Sequence, residues 1–335
     1  MAGVDLGERR TKLVVLDVVG GRPGLVGWAD QPTPAGLFFG GRPVRPLDAG
    51  AWVRRLLGQA GVQPESLVMA VPGGDVQIKR LPVPDPGDRE ATLRSLAASP
   101  AFRTGGDGGS GWSFDYHVLD PESGTVLAVA ARQEGIHAVQ AVARAAGFSR
   151  DRRWISVGEV ALVNAWEAVA PDPAGRVILV DGGHTAVTVV LVENGSPLAW
   201  RRVLSAGREL EERSGGSGLS ADLPPHLVEE WGGRIVQEVR VVVGSVLRGA
   251  AVGDLPPVVL GGGLGRIGGV AEALGKGLGA EVARFDPLAG PWAGGSERGD
   301  GSRLGVAWGL ATQVVARHLA APGTGARPGD AEVAA

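Results

Sequence analysis

Apolar residues fall along this chain in two rhythms: short runs of strand length, and longer stretches with apolar positions at helical spacing. Runs at 13–18 and 25–28 flank Gly20, Gly21, Pro23 and Gly24, which predicts an opening hairpin. Helices are predicted at 46–60, near 86–98, and at 135–146, 158–169, 227–247, 268–277 and 304–319. Strands are predicted at 66–71, 76–83, 113–119, 125–131, 154–157 and 257–260. A second hairpin system starts at 176–180, turns through Asp181-Gly182-Gly183, and continues at 186–192 and 198–204 around Asn194-Gly195. Asn-Gly between two apolar runs is a strong two-residue turn signal.

One pattern recurs at half-chain distance. Val4-Asp5-Leu6-Gly7 before the first hairpin is echoed by Val180-Asp181-Gly182-Gly183 before the second. An α/β chain with two lobes of similar build, each opening on an Asp-containing turn, is the expectation.

Composition adds bounds. The 335 residues include 56 Gly and 23 Pro, about twice the usual combined share, yet 44% are hydrophobic and 21% charged, which places the chain among packed proteins. The absence of Cys excludes disulfides, thiolate metal sites and cysteine nucleophiles. A net charge of -3 without a basic run argues against nucleic acid. With neither a signal-peptide pattern nor a run of about 20 apolar residues, a cytoplasmic protein is expected. Only Lys12, Lys79 and Lys276 of the 33 basic residues are lysines, so Lys12 beside the first turn stands out.

An Asp-x-Gly turn between strands places a carboxylate and several backbone N–H groups at one point. Two such turns facing each other would cradle the phosphates of a nucleotide, with Asp5 and Asp181 holding the water shell of one Mg²⁺. A further apolar run, Pro257-Val258-Val259-Leu260, leads into Gly261-Gly262-Gly263-Leu264, where the chain could pass close beneath a ring or sugar. Neither the Walker pattern nor G-x-G-x-x-G is present. The five His residues lack metal-ligand spacing. Glu159 and Glu167 read as solvated carboxylates on a helix between the lobes, and Glu209, Glu211, Glu212 and Arg213 as a solvated helix start.

In order and spacing, Asp5-Leu6-Gly7 with Lys12, Asp181-Gly182-Gly183 and Gly261-Gly262-Gly263-Leu264 resemble the two phosphate motifs and the adenosine motif of the actin, heat-shock chaperone and sugar-kinase superfamily. Further stretches, including Val71-Pro72-Gly73, Asp115-Tyr116-His117-Val118-Leu119, Arg201 with Gly207, and Gly305-Val306-Ala307-Trp308-Gly309, resemble the PilM family of actin-like proteins of type IV pilus assembly. The resemblance spans about residues 2–319. It implies a two-lobed actin-like fold of duplicated RNase H-like domains: a first lobe at 1–170 carrying a small inserted α+β subdomain of FtsA/PilM type at about 74–133, a second lobe at 171–303 and a helix at 304–319 returning to the first lobe; the Gly, Pro and Ala content of 320–335 reads as a disordered tail.

The resemblance also implies ATP and Mg²⁺ between the lobes. Nucleotide contacts would come from Asp5, Gly7, Arg10, Thr11 and Lys12, from Asp181, Gly182, Gly183, His184 and Thr185, from Gly207, and from Gly261, Gly262, Gly263 and Leu264. It implies a groove on the first lobe for the cytoplasmic N-terminal peptide of a PilN-like membrane protein, contact with the pilus assembly platform and motor ATPase, and attachment to the inner membrane through those partners. ATPase activity is expected to be weak or absent, because Glu8 stands where the family has a small polar residue. Its carboxylate would repel a γ-phosphate unless Arg9, Arg10 or Mg²⁺ compensates. A filament-forming FtsA-like protein and an ATP-dependent small-molecule kinase of the same fold are the alternatives. The first would want an amphipathic C-terminal helix and the second a general-base Asp in the cleft.

Overall fold

The computed structural model describes residues 1–19, 22–102, 111–170, 175–204, 206–215, 223–247, 255–294 and 299–320. The tail expected at 320–335 therefore lies almost wholly outside the described residues. The chain opens with β1 (Ala2–Leu6), β2 (Arg10–Val19) and β3 (Arg22–Pro32), then a small hairpin of β4 (Phe38–Phe39) and β5 (Arg42–Pro43), helix α1 (Pro46–Gln59) and β6 (Leu67–Val71). Next come β7 (Val76–Pro82), α2 (Arg89–Ala98), β8 (Trp112–Asp120), β9 (Thr125–Arg132), α3 (Gln133–Ala145), β10 (Arg153–Val157) and α4 (Gly158–Val169). The second half holds β11 (Arg176–Gly182), β12 (Ala186–Glu193), β13 (Ser196–Leu204), α5 (Ala206–Arg213), α6 (Pro225–Val246), β14 (Val258–Gly262), α7 (Val270–Leu278), β15 (Val282–Arg284) and α8 (Gly305–Ala320).

The half-chain repeat becomes a repeat of topology. One five-stranded sheet runs β10-β6-β1-β2-β3 and the other β15-β14-β11-β12-β13. In each, a central strand pairs antiparallel with the strand after it and parallel with a later one. Asp5 lies near the end of β1 and Asp181 near the end of the equivalent β11. This is the two-lobed actin-like fold, and strands were legible because β-branched and aliphatic residues dominate them.

Helices α1 and α3 cover the outer face of the first sheet, and α6 and α7 that of the second. Between the sheets lie α4 and α8, in a core that takes Val14 and Leu16 from β2, Val177 and Leu179 from β11, and the fully buried Trp308 from α8. Close approach here requires glycine. A Cβ at Gly309 would overlap the carbonyl oxygen of Ala161 on α4, and one at Gly3 would overlap the Ala307 carbonyl oxygen on α8.

A three-stranded sheet, β7-β9-β8, and α2 form a separate small unit with its own core of Leu96, Phe102, Trp112 and Val126. The chain enters it after β6 and leaves it into α3, and both crossings meet Arg42, which bonds the fully buried Asp75 and, at 3.3 Å, Glu134. Among the described residues no helix is long and apolar enough to cross a membrane.

Candidate functional site

The turn joining β1 to β2 and the turn joining β11 to β12 face each other across a cleft of about 300 Å³. That volume is the lower end of what small-ligand sites usually offer. Asp5, Gly7, Arg10 and Lys12 line it from the first lobe, Asp181, Gly182, Gly183, His184 and Thr185 from the second, and Gly263 and Leu264 from the loop after β14. Three sequence motifs far apart in the chain are thus brought to one place.

Four expected residues stand elsewhere. Side chains alternate along a strand, so with Arg10 and Lys12 turned to the cleft, Thr11 points into the lobe. There it is fully buried, its hydroxyl 2.9 Å from that of Thr33 and accepting from Trp52 Nε1 at 3.2 Å. Gly261 and Gly262 end β14 as paired strand residues beside Asp181 and Gly182 and do not line the cleft. Gly262 has φ +79°, and a Cβ on it would sit 2.6 Å from Asp181 Oδ1, so its role is to seat that carboxylate. Gly207 lies behind the second turn, where a Cβ would come 2.7 Å from the Gly183 carbonyl oxygen.

Electrostatics in the cleft centres on two aspartates and a lysine. Lys12 Nζ donates to Asp5 Oδ2 at 2.8 Å, its register partner across the hairpin. Burial opposes the lysine charge, but Asp5, aided by Asp181 and Asp30, outweighs it and holds Lys12 above its ordinary pKa. Asp181 is pushed up to about 6, first by burial and then by the charge of Asp5, against the pull of Lys12 and Arg202.

Glu8 is balanced, though by neither residue expected to balance it from the first lobe. Arg208 of α5 donates from Nη2 to Glu8 Oε2 at 2.9 Å, and Thr185 Oγ1 donates to the same oxygen at 3.4 Å. Arg10 instead bonds Asp30 from Nε at 2.6 Å, and Arg303 reaches the other oxygen of Asp30 at 3.2 Å. Arg9 crosses to Glu211 at 2.8 Å, whose second oxygen lies 2.9 Å from His184 Nε2.

Two carboxylates expected in solvent are corrected by the same geometry. Glu159, in the first turn of α4, and Glu211, on α5, are buried and line the cleft. Arginines not anticipated are Arg202 and Arg303, which line the cleft, and Arg208, which reaches the cleft residue Glu8 from α5. The i, i+3 spacing of Arg208 and Glu211 was the one local signal, and no pattern in a single sequence joins α5 to a turn 200 residues earlier.

Duplicated sheets, each carrying an aspartate at the end of its central strand over a shared cleft, define an actin-like fold protein. No family model matches the chain. Among solved structures it is similar to the PilM–PilN type IV pilus biogenesis complex, at TM-score 0.70 and 25% identity, over 94% of this chain and 98% of that one. The ethanolamine utilization protein EutJ from Carboxydothermus hydrogenoformans (TM-score 0.56, 18% identity, 93% of this chain and 88% of that one) shares the fold. So does component A of (R)-2-hydroxyglutaryl-CoA dehydratase from Acidaminococcus fermentans (TM-score 0.50, 13% identity, 96% and 99%). The chain is a PilM-like actin-fold protein.

Proposed function

We propose that this protein is a PilM-like scaffold of a type IV pilus or related assembly platform. It takes the cytoplasmic N-terminal peptide of a PilN-like membrane protein on its first lobe and an adenine nucleotide with Mg²⁺ between its lobes. Near-complete two-way coverage by a structure whose name pairs PilM with PilN is the observation that carries the reading. Contact with motor components, and a place on the cytoplasmic side of the inner membrane held through partners, are part of the same proposal. An extended peptide needs a groove with pockets and little chemistry.

The nucleotide part rests on the cleft. Gly7, His184 and Thr185 bring main chain to the cleft, the Gly183 N–H being spent on the Ala186 carbonyl oxygen at 2.9 Å, and Lys12 and Arg202 bring positive charge. Among the described residues no three His, Asp or Glu side chains gather to hold a metal by themselves. Mg²⁺ usually keeps several waters and binds through one or two carboxylates plus phosphate, so Asp5 and Asp181 fit it. A cation between them would offset both the burial and the charge of Asp5 that lift Asp181. When bound, Mg²⁺ would neutralise phosphate charge, while Lys12 orients Asp5 and Gly262 seats Asp181.

Calorimetric titration of the protein with the N-terminal peptide of the membrane protein encoded beside it tests the scaffold role. Saturable binding at a defined stoichiometry supports it, and silence at high micromolar peptide refutes it. In parallel, millimolar MgATP or MgADP should raise the melting temperature by binding the folded state alone. No rise with either removes the nucleotide.

A further inference from the structure

We propose that Glu8 is a built-in anion that closes the cleft in the place of a nucleotide's terminal phosphate, so that this site takes a nucleoside diphosphate in preference to a triphosphate. The inference rests on the nucleotide reading of the cleft and names the ligand class within it.

Glu8 sits at the tip of the first turn and Thr185 at the tip of the second, so the carboxylate lies where an anion bridging both turns would lie. It is held there. Arg208 Nη2 and Thr185 Oγ1 both donate to Oε2, and the side chain is 20% exposed. Beside it the polarity is reversed, with Arg9 of the first lobe pairing with Glu211 of the second. A slip of one residue along the turn would set Glu8 against Glu211 and Arg9 against Arg208, so the two pairs fix a single register between the turn and α5. Glu211 is anchored in turn by His184, which belongs to the second turn itself.

The clasp thus uses four charged side chains of net charge zero, and it joins the lobes. A phosphate entering between the two turn tips would have to take Arg208 from Glu8 or sit beside an uncompensated carboxylate. Either route disfavours the third phosphate by roughly tenfold or more, since like charges a few ångströms apart in a partly buried site repel strongly. Two phosphates meet no such obstacle. Arg202, which lines the cleft and carries no ion pair among the described residues, remains for them, and Lys12 stands beside it in its pair with Asp5.

Calorimetric titration of wild type, Glu8→Ser and Glu8→Gln with MgADP and MgATP reads this directly, alongside hydrogen exchange of the nucleotide-free proteins at residues 6–10 and 206–213. Expected are at least tenfold tighter binding of MgADP than MgATP by wild type, a ratio that collapses or inverts in Glu8→Ser, and loss of protection in both segments in Glu8→Gln and in Arg208→Ala. Gain of MgATP binding by Glu8→Ser when wild type binds no triphosphate also supports the inference. Wild type binding both nucleotides equally, or a ratio unchanged in Glu8→Ser, overturns the inference and leaves the nucleotide reading standing. Failure of wild type and variants alike to bind either nucleotide overturns both.

Discussion

Asp181 should make the protein less stable at neutral pH than an uncharged twin would be. Its carboxyl is pushed up to about 6 from its ordinary value of 3.8, mostly by burial and then by Asp5. A raised carboxyl pKa means that the folded state binds the proton more tightly than the unfolded chain does. Between about pH 4 and pH 6 the native state therefore holds more protons, and unfolding free energy falls as pH rises through that window, then stays flat. Two pKa units at about 1.4 kcal/mol each set an upper bound of about 3 kcal/mol above pH 6. Asp181→Asn keeps the shape and discards the charge. With an unfolding entropy of about 2.1 cal/mol/K per residue over 335 residues, the bound corresponds to a Tm gain of up to about 4 °C. The assay is differential scanning calorimetry of both proteins, without nucleotide, at pH 4, 5, 6 and 7.5. The variant should match wild type at pH 4, pull ahead between pH 4 and 6, and hold its lead at 7.5; in separate scans with MgADP it should lose any thermal shift that wild type gains. A variant that is less stable at pH 7.5, or a difference that ignores pH, would refute the reasoning.

Two further expectations follow from packing. Gly309→Ala should cost about 3 kcal/mol, lowering Tm by about 4 °C, because the new methyl meets a main-chain oxygen of α4; adding Ala161→Gly should not rescue it, and rescue in thermal melts would show that the obstruction is a side chain. Arg42→Ala strands the fully buried carboxylate of Asp75 and should cost about 2 kcal/mol, less than a wholly buried pair because the guanidinium is partly exposed. Hydrogen exchange should then quicken at 73–76 and 132–135, and Asp75→Asn added to Arg42→Ala should recover part of the loss.

How far the sequence reached depended on the range of the interaction. The Asn194-Gly195 turn was legible because it is local: both residues take positive φ, 49° and 74°, as a two-residue hairpin demands. Helix α4 was legible from end to end, since apolar spacing runs its whole length. Helix α5 was read only as a solvated start, because Leu210 is its one clear apolar anchor among Arg and Glu. The three motif aspartate and glycine turns were found through their order along the chain. The status of Glu8 was not, because its partner Arg208 is brought to it only by the meeting of two lobes. Thr11 was misassigned for a simpler reason, since strand phase decides which side of β2 each residue faces, and the neighbours on either side of it are the ones in the cleft.

The placement of α8 between the two sheets has a consequence for synthesis. Its residues seal the inner faces of β1, β2 and β6, yet they emerge about 230 to 300 positions after those strands. At bacterial elongation rates this is a wait on the order of tens of seconds, during which Leu16 and its neighbours have no lid. The nascent first lobe is thus a natural client for chaperones, and a stop codon ahead of α8 should yield aggregate even though it removes no cleft residue of the phosphate turns.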